Sequence, residues 1–193
     1  MKNNIIFGWD NALQGETYPK MHLCYQAAFA AIGCTKTWTL EDTKSMQGVS
    51  PAAIWANKEL WGERGEEAKQ AFYAKFNELL VVPLREGAVA LLTVLANSGY
   101  NIYVVSSKTQ EILDFEVAEL RVVEFVDECF GSDGCAISKQ EQLLRVLEKA
   151  DIDGEEVTVI ANAKYREAAE ELELEFVEAS RESFRKIFIS ELG

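Results

Sequence analysis

Three short runs along the chain are almost unbroken in apolar character: NIIFGW at 4–9, NIYVVSS at 101–107 and EVTVIAN at 156–162. They are rich in β-branched and aromatic residues and do not alternate with polar ones, the pattern of parallel strands covered on both faces. A fourth, weaker run is EFVEA at 175–179. The segments between them have helical period and helical punctuation. Ser50 and Pro51 set a capping hydroxyl ahead of a proline at the first helical position of PAAIWANKELW, 51–61. Ser138 is placed to cap a helix whose apolar stripe is Leu143, Leu144, Val146 and Leu147. Val89, Leu91, Leu92 and Leu95 mark the packed face of another helix, which stops at Gly99. Strands and helices alternating through short links predict an α/β fold with a doubly wound parallel sheet.

The stretch between the first two strands breaks this rhythm. About 90 residues separate Trp9 from Asn101, nearly all with helical character, whereas a single crossover needs only about a dozen. The excess predicts an insertion over residues 14–82, containing MHLCYQAAFAAIG, TLEDTKSM, PAAIWANKELW and EEAKQAFYAKFNELL and closed by Pro83. The expected organisation is therefore a core of residues 1–13 and 83–193 with a small helical bundle of residues 14–82.

Composition narrows the partners. The 193 residues are 48% apolar, enough for a substantial core, and 19 Lys plus Arg against 32 Asp plus Glu leave a net charge of −13. That charge repels phosphate backbones and anionic lipid, so neither nucleic acid nor membrane is an expected partner. No apolar stretch approaches the roughly 20 residues that span a bilayer, and the opening MKNN has neither the basic cluster nor the apolar region of an export signal. Cys24, Cys34, Cys129 and Cys135 lack C-x-x-C spacing, and the only histidine, His22, lies on an amphipathic helix two residues before Cys24, so no zinc site is expected. A cytoplasmic protein with reduced thiols fits these features.

Ligands of open α/β sheets sit beyond the carboxyl ends of the strands. Here those ends carry Gly8, Trp9, Asp10 and Asn11 from the first run, Ser106, Ser107 and Lys108 from the second, and Asn162, Ala163 and Lys164 from the third, with Lys139 in the first turn of the preceding helix. Ser106, Ser107, Asn11 and Lys139 are the candidates for holding a phosphate group, since hydroxyls and amides donate to its oxygens and an ammonium balances its charge. The same residues have a plain structural reading: Ser106 ends a strand, Lys139 is a solvated helical residue and Asp10 caps a loop.

FGWDNAL at 7–13, YVVSSK at 103–108, Lys139 and VIANAKYREAA at 159–169 together resemble the four motifs of the haloacid dehalogenase superfamily of phosphohydrolases. The resemblance spans nearly the whole chain. It is strongest over PLREGAVALLTVLANSGYNIYVVSSK and points to the branch with a helical cap after the first strand, which includes phosphoglycolate phosphatases and β-phosphoglucomutases. It implies a Rossmann-like core (the HAD-like core) with an inserted α-helical cap.

The motifs also depart from the family's. The resemblance places the nucleophilic aspartate at Gly8 and the general acid/base at Asp10; glycine offers neither a nucleophile nor a metal ligand. The fourth motif, where the family's acids help hold magnesium, reads Ala161 and Asn162, with Arg166 near the second acid's place. Asn162 and Asp10 are then what remains at the metal positions, a weakened set for magnesium, which prefers anionic oxygens, and no other cofactor is implied. Two readings follow. One is a catalytically degenerate, non-catalytic binding or scaffolding protein that recognises a protein partner or a phosphorylated small molecule, with Lys108 and Lys164 adding positive charge. The other is a weak or unconventional phosphatase in which Asp10 activates water while Ser106 and Lys139 hold the phosphate.

Two further groups carry a double reading. Trp9, Trp38, Trp55, Trp61, Phe72, Tyr73 and Phe76 are either core or a recognition surface, and their helical spacing favours core. Glu155, Glu156, Glu170, Glu171, Glu173 and Glu175 form either a solvated face or a docking region for a basic partner, and the first is the ordinary outcome.

Overall fold

The computed structural model of the chain describes residues 3–46, 49, 51–132 and 138–192. Five strands, β1 (Asn4–Gly8), β2 (Asn101–Thr109), β3 (Glu128–Ser132), β4 (Val157–Ala161) and β5 (Glu175–Glu178), form one sheet in the order β3-β2-β1-β4-β5. Every pairing is parallel. The chain moves outward from β1 to β3 and then returns to the other side of β1, so the order reverses at the central strand. A crevice opens at such a reversal beyond the carboxyl ends of the strands.

The near-continuous apolar runs are explained by cover on both faces. Ile5, Phe7, Ile102 and Val104 pack with α6 (Ala88–Asn97), α7 (Gln110–Glu119) and α10 (Arg181–Leu192). Ile6, Tyr103, Val105, Val157 and Val159 turn the other way, onto α8 (Lys139–Ala150) and α9 (Arg166–Glu171). Alternate residues of each strand thus enter opposite cores, so both sets are mostly apolar.

Three details correct the sequence reading. The first strand ends at Gly8, not Trp9, because Trp9 already belongs to a turn. β3 is an additional strand: ECFGS has one large apolar side chain, and pairing with β2 at the sheet edge rather than its own pattern makes it extended. The segment 51–61 is two helices, α3 (Pro51–Ala56) and α4 (Lys58–Trp61). Asn57 separates them, its Oδ1 accepting from the backbone N–H groups of Glu59 at 2.9 Å and Leu60 at 3.2 Å and so starting a new helix. The expected cap at Ser50 lies outside the described residues.

Other local signals hold. Ser138 and Glu141 form a reciprocal capping box at the start of α8, with Oγ accepting from the Glu141 N–H at 3.1 Å and the Glu141 carboxylate accepting from the Ser138 N–H at 2.6 Å. Leu143 and Val146 are buried there while Leu144 is exposed; in α6, Leu91, Leu92 and Leu95 are buried and Val89 is exposed. Gly99 takes φ +81° after α6, a conformation that glycine adopts without strain.

The inserted segment contains α1 (Tyr18–Ala31), α2 (Leu40–Ser45), α3, α4 and α5 (Gly65–Glu78), with α1 packed along α5. Its own core is aromatic. Tyr25, Phe29, Trp38, Trp61, Phe72 and Phe76 are buried, with Phe29 4.6 Å from Trp61 and Tyr25 5.0 Å from Phe72 between ring centroids. Trp55 and Tyr73 pack against this cluster, whereas Trp9 belongs to the core of the sheet. The two connections to the sheet run side by side, joined by the Gly15 N–H donating to the Pro83 carbonyl at 2.9 Å.

Cys24 is fully buried and burial pushes its thiol up to about 11; burial likewise takes half-buried Cys129 to about 12. His22 bonds Thr43 Oγ1 through Nδ1 and Gln26 through Nε2. Glu155, Glu156, Glu170, Glu171, Glu173 and Glu175 are all exposed. No helix among the described residues is long and apolar enough to cross a membrane.

Candidate functional site

After β1 the chain makes one wide turn, Trp9–Leu13, closed by the Gln14 N–H donating to the Trp9 carbonyl at 2.9 Å. Asn11 takes φ 57° within it, a left-handed conformation that Asn tolerates better than most residues. Both ends of the Asn11 amide are used: Oδ1 accepts from the Thr17 N–H at 2.9 Å and Nδ2 donates to Thr17 Oγ1 at 3.0 Å. Arg85 donates to the carbonyls of Asn11 at 2.8 Å and Ala12 at 2.9 Å. The turn that presents Asp10 is thus held from the cap side and from the core side.

Gly8 is buried at the end of β1, beside the last residue of β4. A Cβ built on Gly8 would stand 2.9 Å from Ala161 Cβ and 3.5 Å from Ala12 Cβ. The space into which a side chain at position 8 would project is filled by the methyl group of Ala161.

Asp10 lies at the centre of a charged chain. Its Oδ2 accepts from Ser106 Oγ at 3.1 Å and its Oδ1 pairs with Lys108 Nζ at 2.8 Å. Lys108 Nζ also contacts the carboxylate of Glu116 and donates to Gln14 Oε1 at 3.1 Å. Glu116, buried on α7, accepts from the indole N–H of Trp9 at 2.7 Å. Burial alone would lower the Lys108 pKa, but Asp10 and Glu116 outweigh it and hold the ammonium above its ordinary value. Glu116 is one of the residues around the site that sequence reasoning missed, with Gln142 and Tyr165 beside Lys139. Its signal was present: it continues the apolar stripe of Leu113 and Val117, where an acid needs a buried partner.

Lys139 approaches from the other side. Its ammonium donates to three neutral oxygens, Ser107 Oγ at 2.7 Å, Tyr165 OH at 3.1 Å and Gln142 Oε1 at 3.2 Å, and lies 4.3 Å from the Tyr165 ring centroid. Tyr165 in turn donates to Gln142 Oε1 at 2.7 Å. Burial pushes the Lys139 pKa down to about 8, with Asp10 opposing the shift, and burial raises the Tyr165 hydroxyl.

Asn162 Nδ2 donates to the Asp10 carbonyl at 2.9 Å, and its Oδ1 accepts from the Lys164 N–H at 3.1 Å, so the side chain joins the two strand ends directly. Arg166 points elsewhere, paired with Glu178 at 2.8 Å on the surface.

Asp10, Asn11, Ser106, Ser107, Lys108, Lys139, Asn162 and Lys164 all line one cavity of about 160 Å³ between the strand ends and the cap. The structure therefore brings together every polar candidate read at the strand ends, while Gly8 and Arg166 are outside the lining. The opposite wall is formed by cap residues, among them Met21, Tyr25, Ile54, Phe72 and Phe76. Among the described residues no three His, Cys, Asp or Glu side chains cluster as a metal-binding group.

The fold has many solved relatives. A haloacid dehalogenase-like family hydrolase from Streptococcus pneumoniae superimposes with a TM-score of 0.78 at 17% identity, covering 96% of this chain and 90% of that one. A predicted phosphoglycolate phosphatase from Haemophilus somnus gives 0.78 at 16% identity over 91% and 84% of the two chains. CbbY from Rhodobacter sphaeroides, solved in complex with phosphate, gives 0.70 at 18% identity over 94% and 89%. At these identities the likeness shows the fold. No curated protein sequence matches the chain. Residues 5–178 match the family described as haloacid dehalogenase-like hydrolase, and the chain is a member of that family.

Proposed function

We propose that the cavity binds a phosphorylated small molecule, or another tetrahedral oxyanion, without turning it over through an aspartyl-phosphate. The observation that carries this reading is the contact of Gly8 with Ala161: position 8 has no nucleophile, and a Cβ there would already stand 2.9 Å from the neighbouring methyl.

The donor set does not suit magnesium, which favours anionic oxygens in octahedral array. Among the described residues Asp10 is the one acid of the cavity lining, and the ammonium of Lys108, 2.8 Å from its Oδ1, opposes a divalent cation beside it. The Asp10 carbonyl already accepts the Asn162 amide. An internal cation and a hydrogen bond thus stand where a metal would need free oxygens.

An anion finds better partners. Lys139 is surrounded by neutral groups, so an oxyanion beside it gains charge pairing that no described carboxylate contact supplies. Ser107 shares that ammonium, and exposed Lys164 stands at the same cavity. In a protein of net charge −13, these lysines make the cavity a local positive site. The acidic composition and free cysteines fit a cytoplasmic setting.

A second reading is a slow phosphatase. It is favoured by Asp10, whose side chain is 29% exposed and hydrogen-bonded to Ser106 at the cavity, placed to activate water without a covalent intermediate. The ion pair with Lys108 opposes it by occupying Oδ1 at 2.8 Å.

Two measurements on the same protein decide. Phosphate release from an aryl phosphate and from sugar and short-chain phosphates, with magnesium, is expected to be at background in wild type and in Asp10→Asn. Inorganic phosphate is expected to bind in calorimetry and to lose that binding in Lys139→Gln. Turnover that disappears in Asp10→Asn would establish the second reading, and absence of phosphate binding would overturn the first.

A further inference from the structure

The two walls of the cavity differ in chemistry. On the strand side stand Ser106, Ser107, Lys108 and Lys139. On the cap side stand Met21, Tyr25, Ile54, Phe72, Tyr73 and Phe76, of which Tyr25, Ile54, Phe72 and Phe76 are buried. The rings hold one another in place: Phe72 lies edge-on to Tyr25 at 5.0 Å and to Tyr73 at 5.3 Å.

The threonine hydroxyls of the cap wall are committed already. Thr43 Oγ1 accepts from the Trp38 indole at 2.9 Å and donates to the Thr39 carbonyl at 3.2 Å. Thr17 Oγ1 is taken by Asn11. A polyol chain placed against this mostly apolar wall would find few partners beyond tyrosine hydroxyls, and each hydroxyl left unpaired lowers affinity. An apolar ring would instead gain contact area against aromatic faces fixed in advance. Volume limits the body to about one ring: the whole cavity is about 160 Å³, and an apolar cavity of about 150 Å³ accommodates benzene.

We infer that the cavity selects an amphipathic anion: a body of one aromatic ring or a comparable alkyl group against the cap wall, with a tetrahedral oxyanion head directed to Ser107 and Lys139. This rests on the anion-binding reading above and adds the body to the head. A sugar phosphate has the head and the wrong body.

The test is calorimetry on the full chain with phenylphosphonate, which cannot be hydrolysed at its P–C bond by phosphatase chemistry, against inorganic phosphate and ribose 5-phosphate. Phenylphosphonate is expected to bind at least about tenfold tighter than inorganic phosphate, the gain from burying one apolar ring, and ribose 5-phosphate no tighter than inorganic phosphate. Met21→Gln and, separately, Tyr73→Asn alter half-buried wall positions and should cut the phenyl advantage severalfold while leaving inorganic phosphate affinity unchanged. Lys139→Gln should weaken phosphate and phenylphosphonate alike. Ribose 5-phosphate binding as tightly as phenylphosphonate, or a phenyl advantage untouched by both wall variants, would overturn the inference while leaving the anion site standing. Indifference of both anions to Lys139→Gln would remove the head site and with it both readings.

Discussion

A Cβ on Gly8 would stand 2.9 Å from the Cβ of Ala161, closer than real side-chain contacts allow. The two positions lie at the ends of paired strands, and the resemblance to the family's motifs puts an acid at the first and a glycine at the second. Here the bulk stands on the β4 side of the strand pair, so a side chain at position 8 requires the Ala161 methyl to give way.

Gly8→Asp alone is therefore expected to destabilise the protein by about 1–3 kcal/mol through overpacking and to leave phosphate release at background. Gly8→Asp with Ala161→Gly should recover most of that loss in urea unfolding. Full activity from the single change would show that the remaining site is intact and that only the nucleophile is missing.

The chain Trp9–Glu116–Lys108–Asp10 predicts strong coupling in stability. Removing one charge from a buried, hydrogen-bonded set strands the others, at a cost of about 3–5 kcal/mol. Lys108→Met should show a cost of that order, because Glu116 is buried and Asp10 only partly exposed. Glu116→Gln keeps an acceptor for the Trp9 indole and should cost less. The double variant should be markedly less destabilised than the sum of the two, a non-additivity that a double-mutant cycle measures.

Lys139 sets a pH dependence with a definite sign. With its pKa pushed down to about 8 by burial, the ammonium is present at pH 6–7 and lost as pH rises through that value. Sulfate, whose own charge does not change in this range, should bind with constant affinity below pH 7 and weaken progressively above pH 8, approaching about tenfold per pH unit where the protonated lysine alone admits the anion. Lys139→Gln should flatten the profile.

Stability should respond to the same group in the opposite sense. The folded chain holds the Lys139 proton less tightly than the unfolded chain does, so this residue's contribution to stability rises as pH increases from about 8 toward the ordinary lysine value near 10.4. Wild type should therefore gain stability relative to Lys139→Met over that interval, read as a shift of the urea-midpoint difference in favour of wild type. A constant difference would mean that the ammonium is hydrated in the folded state.

The aromatic cap core predicts a local effect of a different size. Phe72 is buried against Tyr25, Trp55, Tyr73 and Phe76. Phe72→Ala should cost about 3–5 kcal/mol by the combined loss of transfer energy and the cavity left behind. A loss below about 1 kcal/mol in urea unfolding would show that the cap relaxes around the deletion.

Much of this architecture is set by local pattern. The runs at 4–9, 101–107 and 156–162 have apolar residues at successive positions because both faces of the sheet are covered, a demand that each strand carries in its own residues. The capping box of Ser138 and Glu141 is equally local, since its partners are three residues apart. The substitution of Gly8 and the candidacy of Asp10, Ser106 and Lys139 are likewise matters of residue type at a strand end or in a first helical turn.

What only the tertiary structure decided is which groups satisfy which. β3 is a strand because β2 lends it hydrogen bonds, not because ECFGS is strand-like. The Asn11 amide faces Thr17, and Asn162 ties its strand end to the Asp10 carbonyl, because buried polar groups take whatever partner the packing brings within reach. Glu116 and Asp10 are 106 residues apart in sequence yet share one ammonium, and the Ala161 methyl closes the space over Gly8 from another strand. Pairing of charge and exclusion of volume act between atoms in contact, and the order of residues along the chain carries neither until the chain is folded.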